Sequence, residues 1–394
     1  MDSPVTKFLT AALLVAASLA AGAQTLLTQI PLDSFAGVQA LVDVAVNSAT
    51  NRIYVPIEFI DYNSYGTAFS YNYFRVLVIN GATNQVVHNV ANFPSGSWYR
   101  GVAIDPVRNF TYVEMSNSIP AGDVTQCTVS VIDGQTEETV KTISLPPGDC
   151  GKMVVDPVTG KVYIGAPSGL EVIESEATAT IETFNVPVGF GALAVSPYVH
   201  RLYFTRDVST GTYNLGFFDT LDDQISKGII TSTSLNASVA GPVVNPATGH
   251  IFGTTGGYSE GSGESTWVTV FDSSASLLAT IIPPISGGTS DYPGSDTVLG
   301  MDVDPKTNLA FVFATTDSVT GGGGATGTAL DVIDGASNTV LSEAASNLPA
   351  NTRFYGGQVG VNPDTGRVYV PYNVSPKFNP FVNGTFYLNV YSEQ

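Results

Sequence analysis

One pattern of apolar and polar positions recurs seven times along the chain. A β-branched residue precedes an Asn, Asp or Ser, a polar turn follows, and then comes an apolar segment with an aromatic residue at a fixed offset. The units are Asn47–Tyr54, Asp105–Tyr112, Asp156–Tyr163, Ser196–Tyr203, Asn245–Phe252, Asp304–Phe311 and Asn362–Tyr369. Asn or Asp starts a type I turn through its side chain, and Gly or Asn further on tolerates positive φ. Each unit therefore predicts two strands joined by a tight turn.

Further strands follow within each unit. A third apolar strand ends in a turn, as in Val129–Asp133 and Leu330–Asp334, and a polar turn then leads to a fourth strand such as Thr139–Leu145. Four antiparallel strands per unit, repeated seven times, are typical of a β-propeller. The sequence predicts an all-β fold, a seven-bladed β-propeller of four-stranded antiparallel blades.

The two ends of the chain predict how the ring closes. The seventh unit ends with its third strand, Phe386–Tyr391, and the N-terminal segment Leu26–Pro31 resembles the fourth strand Leu278–Pro283. We expect the N-terminal strand to complete the last blade, since this removes a free sheet edge. Residues 24–394 are thus predicted to form a single propeller domain.

Residues 1–23 are predicted to be a signal peptide. The apolar run Phe8–Ala23 is too short to span a membrane comfortably, and it ends in the small-residue pattern that signal peptidase recognises. An uncleaved anchor is the alternative. We expect an exported protein, secreted, periplasmic or on the cell surface, with no transmembrane segment in the mature chain. In an oxidising compartment Cys127 and Cys150 are expected to form a disulfide.

The innermost strands carry one unusual residue. Two positions before the turn of each unit the residue is small or apolar, with Asp302 as the exception. Asp302, together with Asp304, Asp291 and Asp296, offers carboxylate oxygens for Ca²⁺ at the channel mouth. The alternative, which we favour, gives Asp304 a turn-capping role, so no cofactor is predicted and Ca²⁺ at Asp302 is a secondary hypothesis.

The long connections are predicted to lie on one face of the ring, and they are rich in aromatic residues. Exposed Tyr and Trp suit contact with a glycan, peptide or protein. The candidate ligand-binding residues are Tyr62, Tyr65, Tyr71, Trp98, Tyr99, Arg100, Tyr258, Tyr292, Arg353, Tyr355 and Tyr372. Alternatively, these loops pack their own aromatic side chains into small satellite cores.

Composition and charge narrow the set of partners. Only 12% of the 394 residues are charged, which favours strands over helices, and the formal net charge of −19 disfavours nucleic acids and anionic membranes. Gly257–Gly261 matches a nucleophile-elbow pattern, but that motif needs a strand–turn–helix context which an all-β repeat does not supply. The chain has 3 histidines, so a His-rich copper or zinc centre is disfavoured.

Several units resemble a known repeat. Asn51–Pro56, Gly366–Pro371 and Val129–Asp133 look like the YVTN-type β-propeller repeat, and the resemblance covers essentially the whole chain after residue 23. Blades four to six depart from the Tyr-Val pair. The resemblance implies an exported bacterial or archaeal propeller, in some cases in a surface-layer or adhesion context, and it implies no catalytic residues.

These observations favour an exported, monomeric, non-enzymatic binding or surface-interaction protein whose long loops contact the ligand. The alternative is an enzyme of the propeller lactonase or lyase type, with a carboxylate-bound metal at the channel mouth. A third hypothesis is a scaffold within a larger envelope assembly.

Overall fold

The computed structural model describes a large part of the chain after residue 23. The described residues are 24–35, 38–39, 43–62, 69–91, 93–94, 96–117, 126–148, 150–166, 169–174, 181–184, 190–209, 212–220, 241–259, 263–282, 296–317, 325–345, 352–356, 358–376 and 384–393. They form β-strands joined by turns, without a helix among them. The predicted signal peptide lies outside them.

The described strands follow one another along the chain with short turns between many of them. In chain order they are β1 (Leu26–Phe35), β2 (Val38–Gln39), β3 (Ala45–Asn47), β4 (Arg52–Tyr62), β5 (Phe69–Asn80), β6 (Gln85–Val90), β7 (Ser97–Asp105), β8 (Phe110–Asn117), β9 (Gln126–Asp133), β10 (Glu138–Ser144), β11 (Met153–Val155), β12 (Val162–Ala166), β13 (Gly169–Ile173), β14 (Ile181–Phe184), β15 (Phe190–Ser196), β16 (Arg201–Ser209), β17 (Thr212–Asp219), β18 (Val243–Val244), β19 (Ile251–Ser259), β20 (Gly263–Phe271), β21 (Leu277–Ile281), β22 (Asp296–Asp304), β23 (Leu309–Asp317), β24 (Ala325–Asp334), β25 (Thr339–Ala345), β26 (Thr352–Gly356), β27 (Gly360–Asn362), β28 (Arg367–Pro376) and β29 (Gly384–Ser392).

These strands form seven antiparallel sheets, which confirms the predicted seven-bladed β-propeller. Blades one to seven hold β2–β6, β7–β10, β11–β14, β15–β17, β18–β21, β22–β25 and β26–β29 with β1. Blade four shows three strands within the described residues, and residues 221–240 lie outside them. In every blade the connection between the second and third strands leaves at one end of the ring, which we call the long-loop end. The tight turns between the first and second strands lie at the other end, the short-turn end.

The ring is closed. The innermost strands contact one another in a cycle: β3, β7, β11, β15, β18, β22, β27 and again β3. The N-terminal strand β1 pairs antiparallel with β29, with Ile30 opposite Leu388, and is the outermost strand of blade seven. The prediction that the N-terminal strand completes the last blade is therefore confirmed.

The hydrophobic core consists of seven clusters, one between each pair of neighbouring blades. The aromatic residue of each sequence repeat lies in the cluster shared with the next blade. The seven aromatic side chains are Tyr54, Tyr112, Tyr163, Tyr203, Phe252, Phe311 and Tyr369, and all are buried. Because both faces of each blade are covered, its strands need apolar residues on both sides, and this explains the low content of charged residues.

At the short-turn end, asparagine side chains link neighbouring blades. The Asn that starts a turn donates a hydrogen bond from Nδ2 to Oδ1 of an Asn in the turn of the next blade. The bonds join Asn47 to Asn109 (2.8 Å), Asn245 to Asn308 (2.5 Å) and Asn362 to Asn51 (2.9 Å). These bonds fix the position of each blade relative to the next one along the axis of the ring.

The outer strands of five blades carry a β-bulge near the preceding turn or chain end. In β10, Thr139 lies opposite Ile132 and Lys141 opposite Val131, which leaves Val140 as the extra residue. The extra residue is an exposed aliphatic in all five, namely Leu27, Val87, Val140, Leu278 and Leu341. A bulge interrupts the row of backbone N–H and C=O groups along the edge of a sheet, and this hinders pairing with another sheet.

Candidate functional site

The inner strands enclose a central cavity of about 310 Å³ toward the long-loop end. Its wall consists mainly of backbone and apolar side chains from all seven blades, such as Ala192, Gly241 and Val244. Polar side chains enter the wall at two levels. Asp43, Lys152 and Gln358 lie four residues before the turn of their repeat, and Asp302 lies two residues before it. We call the level of Asp43, Lys152 and Gln358 the channel mouth.

Asp43 is held in place by its neighbours at the channel mouth. The Tyr99 hydroxyl donates to Asp43 Oδ2 at 2.6 Å, and the Val44 amide donates to Oδ1 at 2.8 Å. Tyr99 is itself buried, and its backbone amide donates to Oε1 of the buried Glu58 at 3.0 Å. Burial, together with the negative charge of Asp43, raises the pKa of Tyr99 well above its usual value. The phenol therefore remains a hydrogen-bond donor to Asp43 at neutral and mildly alkaline pH.

A buried carboxyl group lies behind Lys152. Glu114 is fully buried, and the Gly151 amide donates to its Oε1 at 3.3 Å. Burial raises the pKa of Glu114 to about 8, although the positive charges of Arg100 and Lys152 act in the opposite direction. Glu114 is therefore largely protonated at neutral pH.

The predicted disulfide is confirmed. Cys127, the second residue of β9, is bonded to Cys150, which precedes β11, and their Cα atoms are 5.7 Å apart. The two Sγ atoms and a Glu114 carboxylate oxygen lie within 4.8 Å of one another, the one such grouping of three metal-ligand side chains among the described residues. Because the two sulfurs are bonded to each other, this group is not a thiolate metal site.

Asp302 joins two blades. Its Oδ1 accepts from the Val303 amide and its Oδ2 from the Val361 amide of blade seven, both at 2.8 Å. The side chain is partly open to the channel, yet it lies deep enough for burial to raise the pKa of its carboxyl to about 7. Asp304 caps the following turn, as the sequence suggests, since its Oδ1 accepts from the Lys306 and Thr307 amides.

The structure places three predicted ligand-binding residues together on β7. Trp98 is half-buried against the cluster between blades seven and one, Tyr99 points inward, and Arg100 is exposed. Arg100 is the extra residue of a β-bulge, because Tyr99 lies opposite Met115 and Gly101 opposite Glu114. Its Nε donates to Ser116 Oγ at 2.8 Å. A bulge of this kind redirects a side chain out of the regular strand pattern.

The other predicted ligand-binding residues are spread over several blades. Tyr372 is 3% exposed and stacks on Tyr387 with ring centroids 5.5 Å apart, and Gln29 donates to its hydroxyl. Five of the remaining members lie in described strands, but their side chains are not among those that the structure describes. The other two residues lie wholly outside the described part of the chain. The strand residues are Tyr62, Tyr71, Tyr258, Arg353 and Tyr355, and the two outside are Tyr65 and Tyr292.

The polar residues of the channel mouth are not among the site residues predicted from the sequence, which lie in the long connections or, like Asp302, two positions before a turn. Two positions further back, the seven repeats carry Asp43, Gly101, Lys152, Ala192, Gly241, Gly300 and Gln358. Three polar residues among Gly and Ala at one repeat position are a signal that the sequence alone contains.

Comparisons with known proteins bear on the fold. No family model matches the chain, and no curated protein sequence matches it. A solved structure of hydrazine synthase from Kuenenia stuttgartiensis is similar with a TM-score of 0.56 at 15% identity, over 84% of this chain and 92% of that chain. The described residues contain no helix long and apolar enough to cross a membrane. At 15% identity this similarity concerns the fold alone. It agrees with the β-propeller architecture of this chain.

Proposed function

We propose that the chain is an exported, non-enzymatic binding protein of the YVTN-repeat type, whose ligand contacts the long-loop end around the channel mouth. The observation that carries the proposal is the position of the polar wall groups. Asp43, Lys152 and Gln358 gather at the end of the channel where the long connections leave, and β7, which carries Trp98 and Arg100, lines the same cavity through Gly101 and Val102. The disulfide agrees with export, because such bonds persist mainly in oxidising compartments.

The chemistry of the mouth favours a polar ligand without a strong net charge. Asp43 and Lys152 offer opposite charges, Gln358 offers an amide, and Trp98 adds an aromatic surface on the neighbouring strand. Hydroxyl and amide groups match this set, and aromatic faces add stacking area. A glycan or a peptide is therefore the proposed ligand class.

The test screens residues 24–394 on glycan and peptide arrays and then measures Kd for the best ligand. We expect Lys152→Ala and Trp98→Ala to weaken binding by about tenfold or more, as central contact residues do. Lys152 is exposed, so its replacement separates a loss of binding from a loss of folding.

Tyr198→Ala is the matched control, because Tyr198 is 73% exposed at the short-turn end. Unchanged affinity in this control is expected. Binding that survives both mouth substitutions but is lost in Tyr198→Ala would place the ligand at the other end of the ring and reject the proposal. A Ca²⁺-dependent rise in Tm that EDTA reverses and Asp302→Asn abolishes would instead favour the metal-dependent enzyme.

A further inference from the structure

Glu114 and the disulfide between Cys127 and Cys150 form a buried group where blade two meets blade three. One oxygen of the Glu114 carboxyl group and the two Sγ atoms lie within 4.8 Å of one another. Glu114 is fully buried, and its Oε2 has no hydrogen-bond partner among the described residues. Burial without a partner leaves the lost hydration of this oxygen uncompensated. A ligand position is therefore open on Glu114, beside the two sulfurs.

The sequence places this carboxyl group in the one blade that has a cysteine in its third strand. The residue two positions after the repeated aromatic differs from unit to unit. In chain order it is Pro56, Glu114, Gly165, Thr205, Thr254, Phe313 and Pro371. A carboxylate occurs there in blade two alone, and the chain has 2 cysteines in all. A packing or capping role shared by the repeats therefore does not account for Glu114.

The backbone holds the three side chains together without help from the S–S bond. Glu114 and Cys127 lie on the paired strands β8 and β9. Cys150 is followed by Gly151, whose amide donates to Glu114 Oε1 at 3.3 Å, and β11 then pairs with β12. None of these contacts involves sulfur. We therefore expect the three side chains to stay close when the disulfide is reduced.

Reduction turns the two sulfurs into possible metal ligands. Cys127 is 2% exposed whereas Cys150 is half-buried, so a small dithiol reaches Cys150 Sγ more readily. The thiolate of the dithiol forms a mixed disulfide with Cys150, and Cys127 leaves as a thiolate. The second thiol of the reductant then displaces Cys150 and closes a cyclic disulfide. The protein gains two electrons and two protons, which the dithiol loses.

We propose that the reduced protein binds one thiophilic divalent cation, such as Zn²⁺, between Cys127, Cys150 and Glu114. Zn²⁺ binds thiolate sulfur at about 2.3 Å and carboxylate oxygen at about 2.0–2.2 Å, so the ligand atoms of a tetrahedral site lie within about 4 Å of one another. The spacing of the three groups is already close to this requirement. Binding releases the two thiol protons, and water takes the fourth position on the side of the half-buried Cys150. The cation gives the Glu114 carboxylate a directly bound positive partner and closes the same loop that the disulfide closes.

The test measures Zn²⁺ binding by residues 24–394 before and after reduction with a dithiol, which is then removed without exposure to oxygen. A chromophoric chelator competes for the metal, and Cd²⁺ in place of Zn²⁺ reports sulfur ligation through its ultraviolet charge-transfer absorption. We expect no tight binding by the oxidised protein and one Zn²⁺ per chain after reduction.

Two variants separate the role of Glu114 from that of carboxylates in general. Glu114→Gln should raise the Kd of the reduced protein for Zn²⁺ by about tenfold or more, since losing a group that merely supports a ligand already costs about that much. Glu138→Gln removes an exposed carboxylate at the other end of blade two and is the matched control. Its Kd should equal that of wild type.

Two further measurements use wild type alone, so they do not depend on the folding of a variant. Zn²⁺ at about 100 times its Kd should raise the Tm of the reduced protein by roughly 4 °C or more, because the ion binds the folded state. X-ray absorption at the zinc edge should show two sulfur neighbours together with oxygen.

Three results would overturn the proposal. The first is a reduced protein that binds no Zn²⁺ or stays unfolded in its presence. The second is Zn²⁺ binding that is unchanged in Glu114→Gln, because the two thiolates alone would then hold the ion. The third is equal binding before and after reduction, which would place the cation at other carboxylates, such as Asp302.

Discussion

Asn51, Asn109 and Asn308 have backbone φ values of 51°, 60° and 58°, a region that few residues other than Gly adopt without strain. Each of them accepts a hydrogen bond from the preceding blade through Oδ1. In the same blades, the residue after the third strand is a glycine: Gly81, Gly134 and Gly335. A Cβ at any of these three would lie 2.0–2.5 Å from the Asn Oδ1 atom. The Asn that donates, the Asn that accepts and the glycine beside the acceptor therefore depend on one another across two neighbouring blades. This explains why the repeat starts with Asn in some units and with Asp or Ser in others.

A double-mutant cycle tests this linkage. Gly134→Ala should lower the free energy of unfolding by about 1 to 3 kcal/mol, because its Cβ would meet Asn109 Oδ1. Asn109→Gly removes that obstacle, so the double variant should cost less than the sum of the two single changes. Blade five already combines a glycine at the turn position, Gly249, with a residue that has a side chain at the position of Gly134, namely Ser273. Urea unfolding of the four proteins gives the coupling energy, and purely additive costs would contradict the linkage.

At the scale of strands and connections, the disulfide ties the long-loop end of blade two to the start of blade three. Cys127 lies on β9 and Cys150 just before β11, and the bond encloses the whole of β10. Gly151, the next residue, packs so closely on the Gly165 carbonyl that a Cβ would collide with it. The bond therefore fixes the chain where it enters the wall of the channel beside Lys152.

We expect the double variant Cys127→Ala/Cys150→Ala to unfold with a free energy lower by about 3 kcal/mol, as loop-closure entropy predicts for a bond of sequence separation 23. Urea unfolding with and without dithiothreitol measures the difference. The reductant should destabilise wild type and leave the variant unchanged. A stable variant with weaker ligand binding would instead assign the bond to shaping the channel mouth.

The sequence predicts the strands and their closure better than the details within them. Repeated turns and apolar strands fix the blade number, and the likeness of Leu26–Pro31 to a fourth strand identifies the closing element. The bulge at Val140 is not predictable in this way, because one extra aliphatic residue leaves the apolar pattern intact. Tyr99 illustrates the limit for the site: its position in a loop-rich segment predicts exposure, whereas the strand alternation of β7 turns it inward.

For the molecule as a whole, buried carboxyl groups set the dependence of stability on pH. Burial raises the pKa of Glu171 and Asp302 to about 7 and that of Glu114 and Glu393 to about 8. In the unfolded chain these groups ionise near pH 4 to 4.5. The folded state therefore binds more protons than the unfolded state between about pH 4.5 and 8, and stability falls as pH rises through this window. The net charge of −19 acts in the same direction, since self-repulsion increases with pH.

The free energy of unfolding should consequently be lower at pH 8.5 than at pH 5 by at least about 2 kcal/mol. Urea unfolding at constant ionic strength across this range measures the slope. Glu114→Gln should reduce the slope, because the buried amide has no proton to lose. A stability that rises with pH over the same range would contradict the assignment of these carboxyl groups as protonated in the fold.

The pairing of β1 with β29 also determines how the molecule can be attached to something else. The Ser392 amide donates to the Thr25 carbonyl at 3.0 Å, and Ser392 lies opposite Arg367, which follows directly after a tight turn. A tether or fusion partner joined before residue 24 or after residue 393 therefore departs from the short-turn end. Attached at either of these two points, the ring presents the channel mouth and its long loops away from the support.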